Sequence, residues 1–285
     1  LKIKGKNLQE NEVTIKSEVS SQYISALMLI APMLPAGLKI SLEGKTTSLP
    51  YIEMTLQLLK KIGVTGNFSG NSIEVSSAKN IEDVRMNVES DWSSASYFYS
   101  LVALSENLQV TLGSFSEESL QGDAAYNLLG VETIFNTSEK TISLSKKSIQ
   151  LPDSLLLDLT NTPDLAQTIA VSCFGLGIGC SLTGLHTLKI KETDRLLALK
   201  TELEKLGASV HIDENSLNLE KRQKINKGIA VETYQDHRMA MAFAPLALKT
   251  EIRINNAGVV SKSYPKFWED MEKAGITCVF DDSEN

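Results

Sequence analysis

One pattern recurs four times along the chain at an almost constant interval. An apolar helical segment with a polar first turn is predicted to begin at Ser20, Ser93, Pro163 and Asp236, so successive starts lie 73, 70 and 73 residues apart. A regular period indicates a repeated supersecondary unit. Any fold for this chain must therefore accommodate four equivalent helices.

The same patterns follow each apolar helix. A short alternating segment of period two comes first and is typical of a strand. A more polar helical segment comes next and ends at a glycine, which suits a left-handed C-terminal cap; these residues are Gly63, Gly130, Gly207 and Gly275. Three of the four repeats continue into a hairpin-like stretch with Asn, Gly and Asp at the turns. Each repeat is thus predicted to be helix, strand, helix, strand, strand.

The two helices of each repeat differ in polarity. The first is apolar almost all round, which predicts burial, and the second has one charged face, which predicts exposure. Buried helices inside a ring of sheets, an α/β (α+β) inside-out barrel, would satisfy both. We place a domain boundary in VESDW, residues 88–92, so that residues 1–90 hold one repeat of a first domain and residues 91–285 hold three repeats of a second.

Composition excludes several classes of function. The 285 residues contain 28 Lys and Arg against 35 Asp and Glu, a net charge of −7, without a basic stretch, so no nucleic-acid partner is expected. The three cysteines lack CxxC spacing, which predicts neither a disulfide framework nor a zinc site and favours the cytoplasm. No apolar run reaches the roughly 20 residues that span a bilayer, so no membrane association is expected. The chain starts at Leu1 within a strand-like segment, and we expect a fragment of a longer protein.

Two charged motifs place cations at predicted helix starts. In KETDR, Lys191 and Arg195 lie four residues apart on one helical face, where positive charge is unfavourable unless an anion joins it. DHRMAMAF places His237 and Arg238 similarly, and an arginine fork suits carboxylate or phosphate. A solvated surface network, or an Asp236 cap paired with Arg238, is the structural alternative.

Polar residues also stand at the other predicted helix starts. Asp164 follows Pro163 and would either cap its helix or accept a hydroxyl proton in a closed cleft. Hydroxyl, amide and ammonium groups that could hold a phosphate, or serve as ordinary caps and surface groups, are Ser20, Ser21, Gln22, Ser48, Tyr51 and Lys262. Because the repeat brings equivalent helix starts to the same end of each domain, we expect a site that binds small anions and moves protons.

The motifs together resemble a known family. SSQY, SLPY, PDLAQTIAV, KETDR, DHRMAMAF and SKSYP occur in the order typical of the EPSP synthase (3-phosphoshikimate 1-carboxyvinyltransferase) family, and the similarity runs through nearly all 285 residues. That family has two domains, each an inside-out α/β barrel of three repeats with buried parallel helices. The resemblance implies transfer of the enolpyruvyl group of phosphoenolpyruvate to the 5-hydroxyl of shikimate 3-phosphate, with release of phosphate. It also implies a cytoplasmic, monomeric transferase of the shikimate pathway, which leads to chorismate and aromatic amino acids, with neither metal nor organic cofactor.

The resemblance also implies a role for each candidate residue. Shikimate 3-phosphate would be bound by Ser20, Ser21, Gln22, Ser48, Tyr51, Asp164 and Lys191. Phosphoenolpyruvate would be bound by Gln22, Arg195, Arg238 and Lys262. Proton transfer would involve Asp164, Glu192 and His237.

Some positions depart from the family pattern. Thr187 stands where the family often has Asn, Leu49 where Lys is common, and Gln235 where Asn is frequent. The family's first two repeats, with their Lys, Ser and Arg ligands, are absent, so we expect the isolated chain to be weakly active or inactive. The alternatives are a UDP-N-acetylglucosamine enolpyruvyl transferase, against which KETDR and SSQY argue, and a noncatalytic anion-binding module of the same fold.

Overall fold

The computed structural model describes residues 1–6, 8, 10–17, 20–44, 46–81, 83–125, 129–221 and 224–280. The chain divides into two units. The first comprises Leu1–Val88 and Leu120–Gly122, and the second comprises Glu89–Ser119 and Asp123–Asn285. Both charged motifs, KETDR and DHR, belong to the second unit.

The first unit contains one repeat. Its elements are strand β1 (Glu12–Lys16), helix α1 (Ser21–Ile30), β2 (Leu38–Glu43), α2 (Leu49–Lys61), β3 (Gly66–Ser69) and β4 (Ser72–Val75). They form a sheet of order β1-β2-β4-β3, in which β1 is parallel to β2 and the other pairs are antiparallel.

The second repeat begins the second unit. It consists of α3 (Trp92–Leu104), β5 (Val110–Gly113), a 3₁₀ turn (Gly122–Ala125), β6 (Val131–Asn136) and β7 (Thr141–Lys146), with sheet order β5-β7-β6. Only Gly122 of these elements is assigned to the first unit. The 3₁₀ turn stands where the sequence predicts a helix in QGDAAYNLLG. The next part of that predicted helix, residues 126–128, lies outside the described residues.

The third and fourth repeats complete the second unit. The third contains β8 (Ser154–Asp158), a 3₁₀ turn (Pro163–Leu165), α4 (Ala166–Leu176), β9 (Gly179–Thr183), a 3₁₀ turn (His186–Ile190), α5 (Arg195–Lys205), β10 (Val210–Ile212) and β11 (Leu217–Leu219). The fourth contains β12 (Ile229–Val231), α6 (His237–Phe243), a 3₁₀ turn (Ala244–Leu248), β13 (Ile252–Ile254), a 3₁₀ turn (Ala257–Lys262) and α7 (Phe267–Lys273). The third repeat has sheet order β8-β9-β11-β10, which reproduces the order of the first.

A leading strand that the sequence patterns do not predict precedes the apolar helix in three repeats. β1, β8 and β12 pair in parallel with β2, β9 and β13, the strands that follow α1, α4 and α6. The complete repeat is therefore strand, helix, strand, helix, strand, strand. A three-residue strand such as Ile229–Val231 is too short for its alternation to distinguish it from a loop.

Burial of the apolar helices is confirmed in the second unit. Every residue of α3 except Ser94 is buried, as is every residue of α4 except Leu176. In α6 the five residues from Met239 to Phe243 are buried. These helices form the centre of the unit's hydrophobic core, against which the sheets pack.

The same prediction is wrong for α1. Only Ile24 and Met28 of this helix are buried, whereas Tyr23 is 61% and Leu29 59% exposed. Because the first unit contains one repeat, α1 packs on α2 and its own sheet. Its opposite face lies in solvent.

Matching hydroxyl pairs join α3 to α4. Ser96 Oγ lies 3.1 Å from Thr168 Oγ1, and Ser172 Oγ donates to Ser100 Oγ at 2.7 Å. Both pairs connect residues 72 positions apart, so the two helices run in the same direction at matched height. Gly175 allows this close approach, since a Cβ atom there would lie 2.6 Å from Leu104 Cδ2.

A second glycine controls the path of the chain toward KETDR. Gly184 follows β9 with φ +78°, a conformation that L side chains rarely adopt. A Cβ atom would overlap the backbone nitrogen and hydroxyl of Thr160 and lie 2.7 Å from Asp158 Oδ1. Only glycine satisfies both the backbone angle and the available space.

We therefore expect Gly184→Ala to destabilise the second unit by about 2–4 kcal/mol, the sum of left-handed strain and overpacking. Urea unfolding followed by tryptophan fluorescence measures this, because Trp92 and Trp268 both belong to that unit. Gly113→Ala is the control: a Cβ atom there meets nothing within 4 Å, so stability should change by no more than about 1 kcal/mol. Equal stability of the two variants would contradict the geometry.

Candidate anion-binding site

Asp164 lies at the centre of a group of cations in the second unit. Its Oδ1 accepts a hydrogen bond from Arg195 Nη1 at 2.9 Å and lies 3.6 Å from Lys191 Nζ. Its Oδ2 accepts from Arg238 Nη2 at 3.1 Å. We call Asp164 together with Lys191, Arg195 and Arg238 the cation cluster. It joins the turn before α4, the start of α5 and the start of α6.

The cation cluster controls the ionisation of Asp164. Burial alone would raise the pKa of this carboxyl, but Arg238, Lys191 and Arg195 outweigh burial and hold the pKa well below its usual range. Asp164 is therefore a carboxylate at neutral pH and offers only hydrogen-bond acceptors.

Arg195 is engaged by three carboxylates. Besides its bond to Asp164, Nε donates to Asp236 Oδ2 at 2.6 Å and Nη2 donates to Glu192 Oε2 at 2.7 Å. The Arg195 side chain is only 2% exposed, whereas Glu192 is 39% exposed. A guanidinium this deeply buried is stable only because carboxylates accept its hydrogen bonds. Glu192 is the partner that can move into solvent.

Asp236 connects Arg195 to the next helix. It is fully buried, and its Oδ1 accepts from the backbone N–H of Arg238 at 2.8 Å. Asp236 is therefore the N-cap of α6, as one of the structural alternatives supposed. Its ion pair, however, is formed with Arg195.

The sequence patterns do not identify Tyr97 as part of this site. Tyr97 lies in α3, is 1% exposed, and its hydroxyl lies 3.5 Å from Arg238 Nη1. Burial raises its pKa to about 12, against the opposing effect of Arg238. An aromatic residue in an apolar helix is normally core, so only the three-dimensional contact reveals this one. Helix α3, the turn before α4 and helix α6, from three successive repeats, thus present groups to the same place.

Lys262 binds the backbone immediately before Asp236. Its Nζ donates to the carbonyl oxygen of Gln235 at 2.7 Å. Tyr234 and Gln235 have φ values of 53° and 58°, left-handed conformations that cost non-glycine residues on the order of 1–3 kcal/mol each. The turn that leads into Asp236 is therefore strained and must be held by its neighbours.

Three further polar side chains lie on the elements that form the cluster. His237 is half-buried, and burial together with Arg238 lowers its pKa below the ordinary value of 6.5, so the imidazole is neutral at pH 7. Within the described part of the chain, His237 Nδ1, Thr187 Oγ1 and both amide atoms of Gln167 are buried without a hydrogen-bond partner. Each such group costs about 1–3 kcal/mol. Gln167 is not predicted from the sequence, where it reads as one more residue of an apolar helix.

The remaining candidate residues belong to the first unit. The Ser20 side chain accepts from the backbone N–H of Gln22 at 3.4 Å and caps α1. Ser48 precedes α2 with φ 54°. A hydrogen bond of 3.0 Å between Ser25 Oγ and Thr55 Oγ1 joins α1 to α2, one turn after Ser21 and Tyr51.

The described residues contain neither a candidate metal site nor a candidate membrane-spanning helix. No group of three or more His, Cys, Asp and Glu residues there could hold a metal ion. No helix there has both the length and the apolar character needed to cross a membrane.

Solved structures share the fold. EPSP synthase from Acinetobacter baumannii matches with a TM-score of 0.71 at 21% identity, covering 94% of this chain and 64% of that chain. The enolpyruvyl transferase NikO from Streptomyces tendae matches with a TM-score of 0.66 at 15% identity, with the same coverage of 94% and 64%. At these identities the likeness establishes the fold alone, which is the predicted EPSP synthase-like α/β fold.

Sequence comparison establishes the family. The family model of EPSP synthase (3-phosphoshikimate 1-carboxyvinyltransferase) matches residues 1–271. The 3-phosphoshikimate 1-carboxyvinyltransferase of Bacteroides fragilis (strain YCH46) is 42% identical over 283 residues, covering 97% of this chain and 68% of the relative. That of Colwellia psychrerythraea (strain 34H) is 32% identical over 285 residues, covering 98% and 65%. The chain thus spans about two thirds of its relatives' length and belongs to the EPSP synthase family of 3-phosphoshikimate 1-carboxyvinyltransferases.

Proposed function

We propose that this chain forms the larger part of an enzyme that transfers the enolpyruvyl group of phosphoenolpyruvate to the 5-hydroxyl of shikimate 3-phosphate. The products are 5-enolpyruvylshikimate 3-phosphate and phosphate. The observation that carries the proposal is the cation cluster, in which two arginines and a lysine surround one carboxylate. Arginine forks and a lysine suit the phosphate and carboxylate groups of such substrates. The name of the 42% identical relative supports the same reaction.

We assign phosphoenolpyruvate to Arg195, Arg238 and Lys262, with Gln22 as a further ligand. Arg238 has donor capacity for this role, because its contact with the Tyr97 hydroxyl is long, at 3.5 Å. Arg195 already donates hydrogen bonds to three carboxylates. An incoming anionic group would replace Glu192 on Nη2, since Glu192 is its most exposed carboxylate partner. The displaced Glu192 would then be free to transfer protons.

We assign the hydroxyls of shikimate 3-phosphate to Asp164 and Lys191, and its phosphate to Ser20, Ser21, Gln22, Ser48 and Tyr51. A carboxylate with a strongly lowered pKa orients a hydroxyl well but is a weak base. Binding of phosphoenolpyruvate would neutralise the neighbouring cations and raise the pKa of Asp164 toward a useful range. The neutral imidazole of His237 is a further proton acceptor.

The proposed chemistry has two steps. The substrate hydroxyl oxygen adds to C2 of phosphoenolpyruvate and loses its proton, while C3 gains one, which gives a tetrahedral intermediate. Phosphate then leaves C2 while C3 loses a proton, which restores the double bond. Asp164, Glu192 and His237 would move these protons, and Lys191, Arg238 and Lys262 would stabilise the developing charge.

We further propose the setting in which this enzyme works. Residues 1–90 would contribute one repeat to a first domain, and residues 91–285 would form the second domain. The protein would be a cytoplasmic monomer that binds neither nucleic acid nor membrane, in keeping with its net charge of −7.

Restoring the uncovered part of the family sequence tests the reaction. We expect little phosphate release by the 285-residue chain from phosphoenolpyruvate and shikimate 3-phosphate. Release should become substantial once the uncovered third of the Bacteroides fragilis relative is joined to the chain. A folded, joined chain that calorimetry shows to bind both substrates without turnover would instead favour the noncatalytic module. Turnover with UDP-N-acetylglucosamine alone would favour the other transferase.

Arg238→Ala tests the anion site directly. The variant should bind phosphoenolpyruvate about 10- to 100-fold more weakly in calorimetry, since a charge-assisted hydrogen bond contributes about 1.5–3 kcal/mol. The matched control is Lys221→Ala, because Lys221 is an exposed cation paired with exposed Asp153. Equal affinities of the two variants would exclude Arg238 as a ligand.

A further inference from the structure

We propose that Glu202 and Tyr234 are positioning residues for the cation cluster. Their hydrogen bonds stabilise the strained turn formed by residues 232–236. The position of this turn determines the orientation of the Arg195 side chain and the position of the first residues of α6. The inference rests on the proposed function of the cluster and extends it to residues that touch neither substrate.

The turn has an unusual backbone. Tyr234 and Gln235 are consecutive non-glycine residues with φ values of 53° and 58°. Asp236 follows at once, and its N–H donates to the carbonyl of Thr233 at 2.8 Å. Such conformations persist only where the surroundings hold them, and they concentrate at functional sites. The residues that hold this turn therefore control where Asp236 lies.

Glu202 stabilises the turn by accepting two hydrogen bonds from it. This carboxylate of α5 is fully buried; Oε1 accepts from the Tyr234 hydroxyl at 2.6 Å and Oε2 accepts from the Glu232 N–H at 3.1 Å. Lys205 Nζ lies 2.8 Å from Oε2 and balances the charge. Full pairing makes a buried carboxylate tolerable. Glu202 thus binds both the start and the middle of the turn.

Two side chains of helix α5 bind the turn at different positions. Arg195 and Glu202 are seven residues apart, which places them on one face of the helix and about 10 Å apart along its axis. Arg195 binds Asp236, and Glu202 binds Glu232 and Tyr234. The separation keeps Glu202 away from the cluster itself. Glu202 therefore acts through the turn.

The segment after β13 holds the turn from another side. Asn255 Nδ2 donates to Glu232 Oε1 at 2.5 Å, and Lys262 Nζ donates to the Gln235 carbonyl at 2.7 Å. Loss of the Tyr234–Glu202 hydrogen bond would remove one of the contacts that keep Tyr234 and Gln235 in the left-handed conformation. The turn could then relax, and Asp236 would move away from Arg195.

Tyr234→Phe removes the hydroxyl that donates to Glu202 and keeps the ring. We expect solvent exchange of Arg195 Nε–H, measured by nitrogen-15 NMR without ligand, to accelerate about tenfold, because the turn no longer holds Asp236 against it. Phosphoenolpyruvate affinity should fall severalfold. Glu204→Gln is the control: Glu204 is an exposed residue of the same helix that pairs with Lys200, and its loss should leave Nε–H exchange unchanged.

A second variant separates positioning from general stability. Glu202→Gln keeps the side-chain size and one acceptor, so it should also accelerate Nε–H exchange at a near-native melting temperature. Adding Gln235→Gly to Tyr234→Phe should slow exchange again, because glycine adopts positive φ without strain. Wild-type exchange in both Tyr234→Phe and Glu202→Gln would overturn the proposal. Exchange needs no ligand, so failure to bind phosphoenolpyruvate would count against the proposed function alone.

Discussion

The ionised carboxylate of Asp164 is the interaction on which the site depends. Arg195 and Arg238 are both largely buried, and a buried guanidinium without a counter-charge would cost several kcal/mol. Asp164 binds both, with Lys191 nearby, and so joins the starts of α4, α5 and α6. The repeat architecture makes this possible, because side chains from α3, from the turn before α4 and from α6 meet there. The same carboxylate therefore supports the fold and organises the proposed binding site.

Local signals explain what could be predicted from the sequence. The spacing of the apolar helices, the glycines that end the polar helices and the alternating strands each depend on neighbouring residues, and most appear in the structure. The leading strand β12 could not be predicted, because it is only three residues long. The exposure of α1 differs from the prediction, because a repeated apolar helix is buried only where other repeats pack around it.

In the candidate site, too, features that depend on neighbouring residues could be predicted and contacts between distant residues could not. KETDR and DHR identify Lys191, Arg195 and Arg238 because charge at a helix start is visible in a linear sequence. The pairing of Arg195 with Asp164, Glu192 and Asp236 is not visible, because two of these partners lie 31 and 41 residues away. Contacts of Tyr97 and Glu202 are equally non-local. Gln235 did carry a signal, since Asn, frequent there in the family, tolerates positive φ better than Gln does.

A carbon-13 NMR titration of the Asp164 side-chain carboxyl tests the central claim most directly. Because the cations lower its pKa in the folded chain, the group stabilises the fold above its ordinary pKa of 3.8, and this stability is lost as pH falls below that value. The Asp164 carboxyl shift should therefore still be at its ionised position at pH 3.8, the ordinary pKa of an aspartate. Titration of Asp164 at or above its ordinary pKa would contradict the account, because it would mean that Lys191, Arg195 and Arg238 do not converge on this carboxylate.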